Sequence, residues 1–277
     1  MKFFTCHNPE EYLNYEIHGT GPRPVVMLHG FAANLRVWDD LAAFFSPNEY
    51  TLHILDLKGH GGSSKNSGAG YSAEHNARML RAYFHDNGLQ DIILIGHSFG
   101  GAIALMTALD TPTINLLILI GAPAFPQQLP IFMRILALPV IGPLLMQAVP
   151  VNMIARAGLI RAFCREERIT DRLIERYAVG YRGKGVSLAL AQTVRQIIPP
   201  DLEEITARYF QLSVPALLLW GEDDRVVPKW QGKKLQQELR RSRLVIIPDC
   251  GHNPHEEMPQ VTFAIIQEFI VDNSEGT

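Results

Sequence analysis

The chain has 277 residues, of which 47% are hydrophobic and 19% charged, a composition typical of soluble globular proteins with a substantial core. Its formal net charge of -3 gives no basis for a nucleic-acid partner, because that recognition needs clustered positive charge. The length suits one large α/β domain with an insertion better than two equal domains.

Cysteine usage and hydropathy indicate a reducing compartment and no membrane crossing. Cys6, Cys164 and Cys250 are few and far apart, which argues against a disulfide framework. The N-terminal segment has no apolar run of the kind found in secretory signals. The most apolar stretch, Ile135 to Val151, is interrupted by prolines, whereas a membrane span needs roughly 20 apolar residues. We therefore predict a cytoplasmic protein with no stable membrane span.

Strands and helices alternate in the first part of the chain. Strands are predicted at Tyr12 to His18, Pro24 to His29, Tyr50 to Leu55, Ile92 to Ile95 and Asn115 to Ile120. The first of these is more polar, and the others are the continuous apolar runs typical of central parallel strands. Three helices are predicted between them. The first carries an apolar face at Trp38, Leu41, Ala42 and Phe45, the second begins at the N-cap Ser72, and the third runs from Ala102 to Leu109.

The strand pattern stops at Ala122 and resumes after about Phe210. Proline-punctuated helices are predicted between these points at Ile131 to Ala137, Ile141 to Ala148, Asn152 to Phe163, Asp171 to Tyr177 and Ser187 to Ile197. Alternation then returns with Ala216 to Trp220, Trp230 to Arg240, Leu244 to Ile247 and Gln260 to Val271. The order predicts a doubly wound, mostly parallel sheet formed by residues 1–122 and 211–277, with residues 123–210 as a helical cap over the strand ends.

A short motif follows the strand at Ile92 to Ile95. Gly96-His97-Ser98-Phe99-Gly100 matches G-x-S-x-G between a predicted strand and a predicted helix, which is the context of a nucleophile elbow. Such a turn holds its serine in a strained backbone conformation, which only small neighbours tolerate. The five-residue pattern also arises by chance, and Ser98 could instead be an ordinary helix N-cap. The strand–turn–helix context favours a nucleophile.

A serine nucleophile needs a base whose far ring nitrogen is held by an acceptor. His252 follows a predicted strand and a glycine, where such a base is expected, whereas we expect its rival His255 to pack against or cap the final helix. His60 lies in a glycine-rich loop and is expected to be solvated. The arginines from Arg156 to Arg182 are expected to form a solvated face, although one of them could bind a carboxylate.

The acid has three consecutive candidates, Glu222, Asp223 and Asp224. The pattern G-x-x-D-x-x-x-P, placed on Gly221 and Pro228, selects Asp224 and leaves Asp223 for a structural contact or solvent. No carboxylate follows the strand that ends at Ile120, so the alternative position for an acid is empty.

Taken in order, these motifs resemble those of the α/β-hydrolase fold superfamily, in its serine-dependent, capped esterase and carbon–carbon hydrolase branch. The segments that carry the resemblance are His29-Gly30-Phe31, Asp56 to Ser63, the Ser98 motif, Gly221 to Pro228 and Gly251 to Glu257. Lys58 departs from the arginine usual in that family. The resemblance implies an α/β-hydrolase fold with a cap inserted after its sixth strand, and a triad of Ser98, His252 and Asp224.

The resemblance also implies where the transition state is held. The backbone N–H groups of Phe31 and Phe99 are the expected oxyanion donors, and no cofactor is required. No His-x-x-x-His or paired-cysteine spacing suggests a metal. Candidate pocket residues, which could equally be simple packing residues, are His29, Gly30, His97, Phe132, Met133 and Met146.

The sequence thus supports several functions. The first is that of a hydrolase of carboxylic esters with an apolar acyl or alcohol part, for which a small apolar ester is the expected partner. A hydrolase of carbon–carbon bonds in meta-cleavage-type vinylogous diketones is the alternative, although Asn253 stands where that branch has an aromatic residue. Thioesters, lactones and cofactor-free peroxide chemistry are further options for the same residues, and a ligand-binding protein with a vestigial triad is the alternative outside enzymes. The sequence predicts no oligomeric state.

Overall fold

An eight-stranded sheet forms the centre of the protein, in the order β1-β2-β4-β3-β5-β6-β7-β8. The computed structural model describes residues 2–5, 10–66 and 70–274, so Cys6 lies outside the described residues. The strands are β1 Lys2–Thr5, β2 Tyr12–His18, β3 Arg23–Leu28, β4 Tyr50–Leu55, β5 Ile92–His97, β6 Ile114–Ile120, β7 Ala216–Gly221 and β8 Ser242–Ile247. β2 pairs antiparallel with β1 and β4, and every other pairing is parallel. The predicted α/β-hydrolase fold, with its mostly parallel sheet, is confirmed.

Helices cover both faces of this sheet. They are α1 Asp39–Ala42, α2 Ala73–Asp86, α3 Phe99–Leu109, α4 Ile131–Leu136, α5 Ile141–Ala148, α6 Val151–Ala162, α7 Asp171–Tyr181, α8 Val186–Arg195, α9 Leu202–Thr206, α10 Trp230–Glu238, α11 Pro254–Glu257 and α12 Pro259–Asp272. Short 3₁₀ turns occur at Leu35–Trp38, Glu166–Arg168 and Tyr209–Gln211.

Several helix predictions differ from the structure, among them α7, which ends at Tyr181 rather than Tyr177. The helix expected over Trp38 to Phe45 is one short turn, α1, because Phe45 N–H already bonds the carbonyl of Ala42 at 3.1 Å in a closing 3₁₀ turn. The helix expected from Ala102 begins at Phe99, since the carbonyl of Ser98 accepts hydrogen bonds from the N–H groups of Gly101 and Ala102 at 2.8 and 3.1 Å. The helix therefore starts directly at the serine.

The core lies in two layers, one on each side of the sheet. Alternate residues of β3 enter different layers: Val26 and Leu28 pack with α2 and α3, whereas Val25 and Met27 pack with α1 and α12. This division follows from the two-residue period of a strand, and it explains why β3 reads as continuously apolar. β5, β6 and β7 are buried in the same way.

The parallel strands bring their carboxyl ends to one edge of the sheet. β5 ends at His97, β6 at Ile120, β7 at Gly221 and β8 at Ile247. The residues that follow β5, β7 and β8 include Ser98, the acidic run and the loop that carries His252. In open α/β sheets this edge is where ligands bind.

The helices α4 to α9 lie between β6 and β7, and we call residues 123–210 the insertion. Within it, α4 and α5 pack on each other and on α8, and α6 packs on α7. Its boundaries as a separate cap stay a prediction. Among the described residues, no single helix has the length and apolar composition of a membrane span, and only α5 and α6 taken together, bent by 106° between them, meet that test.

Candidate active site

Ser98 occupies a strained turn between β5 and α3. Its φ and ψ are 51° and -120°, a conformation that costs a non-glycine residue about 1–3 kcal/mol. A Cβ atom at position 96 would lie 2.5 Å from the carbonyl oxygen of Gly100, and one at position 100 would lie 2.4 Å from the carbonyl oxygens of Leu28 and His29. Both flanking positions therefore need glycine, and the backbone of the elbow is fixed around the serine.

His252 is held by Asp224. Its Nδ1 lies 2.8 Å from Oδ2 of Asp224, and both side chains are almost wholly buried. The other carboxylate oxygen, Oδ1, accepts hydrogen bonds from the N–H groups of Val226 and Val227 at 2.8 and 2.9 Å. Because a carboxylate can only accept, the proton of the neutral imidazole is placed on Nδ1, and Nε2 keeps a lone pair that can take up another proton.

The two neighbouring carboxylates have other surroundings. Asp223 accepts a hydrogen bond from Sγ of Cys164 at 3.3 Å and is exposed, as is Glu222. Within the described part of the chain, neither makes a hydrogen bond with His252. Of the three consecutive acids, the one in contact with the histidine is Asp224.

Ser98 and His252 line one cavity together with Phe31 and Phe99. Among the hydrogen bonds of the described residues, none joins the Ser98 hydroxyl to His252, as is common where no substrate is bound. The backbone N–H groups of Phe31 and Phe99 likewise have no protein acceptor within the described ranges. Two unpaired backbone donors beside a serine are the arrangement that stabilises an oxyanion.

The cavity has a volume of about 820 Å³ and continues from the sheet edge into the insertion. Of the predicted pocket residues, those that line it are Gly30, His97, Phe132, Met133 and Met146. Apolar side chains of α4, α5 and α6 form much of its wall, so it suits an apolar ligand.

One histidine prediction is wrong, that for His60, and one candidate pocket histidine, His29, lies away from the cavity. His29 is not among the described residues that line the cavity, because its ring is buried behind the turn, where Nδ1 donates to the carbonyl of Gly30 at 2.7 Å and Nε2 accepts from Leu57 N–H at 3.0 Å. His60 is buried rather than solvated, because its ring packs edge-on against His29 and Phe31. Burial lowers the pKa of His29 to about 4 and of His60 to about 3, so both rings are neutral near pH 7.

Behind His252 lies a column of buried rings that no sequence pattern indicates. The His97 ring lies 4.7 Å from that of His252 and 4.4 Å from that of His255, which in turn lies 4.6 Å from Trp38. Nε2 of His97 donates to the backbone carbonyl of His252 at 3.0 Å. Burial holds the pKa of His97 well below its usual range and lowers that of His255 to about 3. The column therefore supports His252 without adding charge.

The loop that carries His252 is joined to the insertion. The backbone N–H of His252 donates to the carbonyl of Ala162 at 2.6 Å. Oε1 of Glu257 accepts from Gly251 N–H at 2.9 Å and its Oε2 from Cys164 N–H at 2.8 Å. Asp249 is paired with arginines of the insertion, Arg165 and Arg168. These contacts join distant parts of the chain, so no local sequence signal marks Glu257 or Ala162.

A second buried network adjoins the cavity. Glu256 accepts hydrogen bonds from Tyr177 Oη at 2.5 Å and from Asn253 Nδ2 at 2.8 Å, and Arg176 lies 3.4 Å away. Burial raises the pKa of Glu256 to about 7 in spite of these partners. The expectation that Arg176 belongs to a solvated face is wrong, because its side chain is buried between Glu256 and Asp40.

Neither described cysteine is activated. Cys250 is fully buried, and burial raises the pKa of its thiol. Burial, followed by the carboxylate of Asp223, raises the pKa of Cys164 to about 11. Both are free thiols. No cluster of three or more His, Cys, Asp or Glu side chains that could hold a metal ion occurs in the described ranges.

Known proteins match this chain over nearly its whole length. Residues 25–265 match the family model described as the alpha/beta hydrolase family. A pimeloyl-(acyl-carrier protein) methyl ester esterase of Nitrosomonas europaea is 28% identical and aligns over 90% of this chain and 95% of its own length. A 2-hydroxy-6-oxononadienedioate/2-hydroxy-6-oxononatrienedioate hydrolase of Dechloromonas aromatica is 27% identical, over 87% of this chain and 84% of its own.

The solved structure of a thermophilic esterase from Thermogutta terrifontis is similar to this fold. It shares 26% sequence identity and superposes with a TM-score of 0.81, covering 99% of each chain. The family match spans both the elbow and the histidine loop, and the strand order agrees with it. The chain belongs to the alpha/beta hydrolase family and is a hydrolase.

Proposed function

We propose that the protein is a serine hydrolase that cleaves carboxylic esters with an apolar acyl or alcohol part. One observation carries the proposal: His252, which is hydrogen-bonded to Asp224, lines together with Ser98 a cavity of about 820 Å³ with mainly apolar walls. An apolar cavity binds the hydrocarbon part of an ester, and a few polar groups at its end orient the carbonyl.

The proposed mechanism uses only groups of this chain. Ser98 Oγ attacks the ester carbonyl while Nε2 of His252 takes the hydroxyl proton, and Asp224 stabilises the resulting imidazolium through Nδ1. The N–H groups of Phe31 and Phe99 bind the negative oxygen of the tetrahedral intermediate. His252 then gives its proton to the leaving alcohol, and a water molecule, deprotonated by His252, hydrolyses the acyl-enzyme. No cofactor is required.

The nucleophile is tested with p-nitrophenyl esters of increasing chain length. Ser98→Ala is expected to lower kcat by about 10⁴-fold or more, because the group that forms the acyl-enzyme is lost. Turnover that persists unchanged in this variant would refute the serine mechanism. Loss of turnover would also exclude the alternative of a ligand-binding protein without catalysis.

The acid is tested with a matched pair of neighbours. Asp224→Asn is expected to lower kcat by about 10²- to 10⁴-fold, since the amide no longer holds His252 in the required tautomer. Asp223→Asn, which changes an exposed side chain bonded to Cys164, is expected to keep nearly full activity. Equal losses in both variants would contradict the assignment of Asp224.

A second candidate is the hydrolysis of carbon–carbon bonds in vinylogous diketones of the meta-cleavage type. The observation in its favour is Arg161, which lines the cavity and could bind the carboxylate of such a substrate. Asn253, beside the histidine, bonds to Tyr177 and Glu256 and offers no aromatic surface. Turnover of a ring-cleavage dienoate that Arg161→Gln abolishes, without turnover of simple esters, would favour this reaction. Thioesters and lactones belong in the same screen.

The proposed location is the cytoplasm. Cys164 and Cys250 are unpaired, and the chain has only one other cysteine, which supports a reducing compartment. The proposed partner is a small apolar ester rather than a nucleic acid. Labelling of the thiols in intact cells by a membrane-permeant maleimide, against an impermeant one, tests the location.

A further inference from the structure

Helix α4 of the insertion presents an apolar side to the outside of the protein. Ile131 is 65% exposed, Phe132 47% and Ile135 40%, and Leu138, which follows the helix, is 45% exposed. Ile131, Ile135 and Leu138 are spaced four and three residues apart, so they lie on one side of the chain. An isolated exposed leucine needs no explanation, but a stripe of large apolar residues does.

Helix α5 continues this surface. Val140, just before the helix, is 70% exposed, and Ile141, Leu144 and Leu145 are 54%, 58% and 48% exposed. Because α4 and α5 pack on each other and both lie on α8, their exposed side chains form one continuous surface. We call these eight residues the α4–α5 face. A patch of this kind on a globular protein marks a contact with an apolar partner.

The α4–α5 face is continuous with the cavity. Ile131, Phe132, Ile135 and Leu145 are exposed and also line the cavity that contains Ser98. Apolar surface therefore runs from the outside of the insertion to the nucleophile. A partner that covers the face from outside would adjoin the entrance to the cavity.

The charges around the face identify the class of partner. No Asp or Glu occurs between Asp110 and Glu166, although the whole chain has a net charge of -3. Arg134, on α4 itself, is exposed, and Arg161 of α6 is exposed and lines the same cavity as the face. A symmetric contact with a second copy would place this face against the same apolar side chains and the same arginines, with no acid of this stretch to pair with them. Apolar side chains bordered by arginines are instead typical of helices that lie on anionic lipid surfaces.

We propose that the α4–α5 face docks on a lipid surface that contains anionic headgroups. The helices lie along the interface, with their apolar side chains among the acyl chains and the arginines at the phosphates. The cavity then opens toward the lipid phase, where apolar esters accumulate. Docking itself stands apart from the proposed reaction, whereas the entry of an ester from the lipid rests on the proposed function.

Binding to vesicles tests docking without turnover. The full chain carrying Ser98→Ala is floated with vesicles of phosphatidylcholine mixed with phosphatidylglycerol, and with phosphatidylcholine alone. Adding Ile141→Glu and Leu144→Glu, which change the face but not the cavity lining, is expected to lower the partition coefficient by at least about tenfold. Val261→Glu with Val271→Glu is the control, because it places the same charges on exposed apolar positions of α12.

The role of charge has its own variants. Arg134→Gln and Arg161→Gln are each expected to weaken binding about fivefold on the anionic vesicles, and to have little effect on phosphatidylcholine alone. In protein that keeps Ser98, the Ile141→Glu and Leu144→Glu substitutions are expected to leave turnover of a water-soluble ester unchanged, which shows that the variant is folded.

Three results would overturn the proposal. The first is that the chain does not float with either kind of vesicle, and the second is that the face variant and the α12 control lose binding equally. The third is a dimer, detected by light scattering, that the Ile141→Glu and Leu144→Glu substitutions dissociate while no vesicle binding occurs. If docking fails but the Ser98-dependent ester turnover remains, the inference is wrong and the proposed function stands. If docking occurs without ester turnover, the inference stands and the proposed function is wrong.

Discussion

Glu257 offers the sharpest test of how the site is held together, through the substitution Glu257→Gln. Its buried carboxylate accepts three backbone hydrogen bonds: Oε1 from Gly251 at 2.9 Å and Asn253 at 3.3 Å, and Oε2 from Cys164 at 2.8 Å. Glutamine has the same shape but only one acceptor oxygen. If that oxygen stays with Gly251 and Asn253, an NH₂ group faces the N–H of Cys164.

The expected losses of stability and of catalytic rate follow from these contacts. A hydrogen bond to a charged group contributes about 1.5–3 kcal/mol, and an unpaired buried N–H costs a similar amount. Replacing the Cys164 contact by two opposed donors is therefore expected to lower the free energy of unfolding by about 2–3 kcal/mol. For a chain of this size such a loss lowers Tm by about 5–10 °C. The loop between Gly251 and Asn253 carries His252, so kcat is expected to fall about tenfold while KM changes little.

The assays are thermal unfolding followed by circular dichroism and steady-state kinetics on a p-nitrophenyl ester. Glu268→Gln is the control, because Glu268 is an exposed glutamate of α12 whose ion pair with Arg243 is worth little. If Glu257→Gln matches that control in Tm and kcat, the carboxylate does not hold the loop. A change in KM alone, with kcat unchanged, would likewise show that Glu257 does not position His252.

Three further predictions concern pH and backbone. Burial lowers the pKa of His29 to about 4 and that of His255 to about 3, so both rings are neutral in the folded protein near pH 7. The unfolded chain therefore binds more protons than the folded one below pH 6.5, and the urea concentration at the unfolding midpoint should fall as the pH is lowered from 6.5 toward 4. A midpoint that does not change with pH would contradict this. Burial raises the pKa of Glu256 from 4.5 to about 7, so its carboxyl contributes stability that is lost as pH rises between those values. The Glu256→Gln variant does not lose this stability, so its free energy of unfolding should rise relative to that of the unsubstituted protein by up to about 3 kcal/mol between pH 4.5 and pH 8. Parallel pH profiles of the two proteins would contradict this. Gly100→Ala should prevent stable folding, because the added Cβ would lie 2.4 Å from two carbonyl oxygens. Gly158→Ala is the control: its Cβ meets nothing within 4 Å, so it should raise Tm slightly. Similar Tm values for the two variants would contradict this expectation.

The fold and the meeting of the site's segments could be predicted because both follow from local patterns. Continuous apolar runs alternating with helices indicate a parallel sheet, and parallel strands put their carboxyl ends at one edge. The motifs containing Ser98, Asp224 and His252 each follow such a strand. The contact between Asp224 and His252 agrees with that expectation, and their catalytic roles stay a prediction.

Burial and contacts between distant segments could not be predicted in this way. His60 looks solvated among glycines, yet its surroundings are the rings of His29 and Phe31, which come from another loop. No sequence pattern predicts β1, since its short, mostly exposed run is defined by pairing with β2 rather than by an apolar pattern of its own. Arg176 lies in a charged stretch of α7, but its partners are Asp40 and Glu256, each far away in the chain.

The hydrogen bond from His252 N–H to the carbonyl of Ala162 limits how the protein could be recombined. The end of α6 acts as part of the scaffold for the histidine, whereas α4 and α5 make no such bond to it. A chimera that takes only α4 and α5 from a relative would exchange the lining of the cavity and leave the support of His252 intact. A chimera that also replaces the end of α6 would supply this carbonyl from the relative's backbone, which meets the His252 amide only where the relative's helix ends at the same point, so the safer crossover point lies before α6.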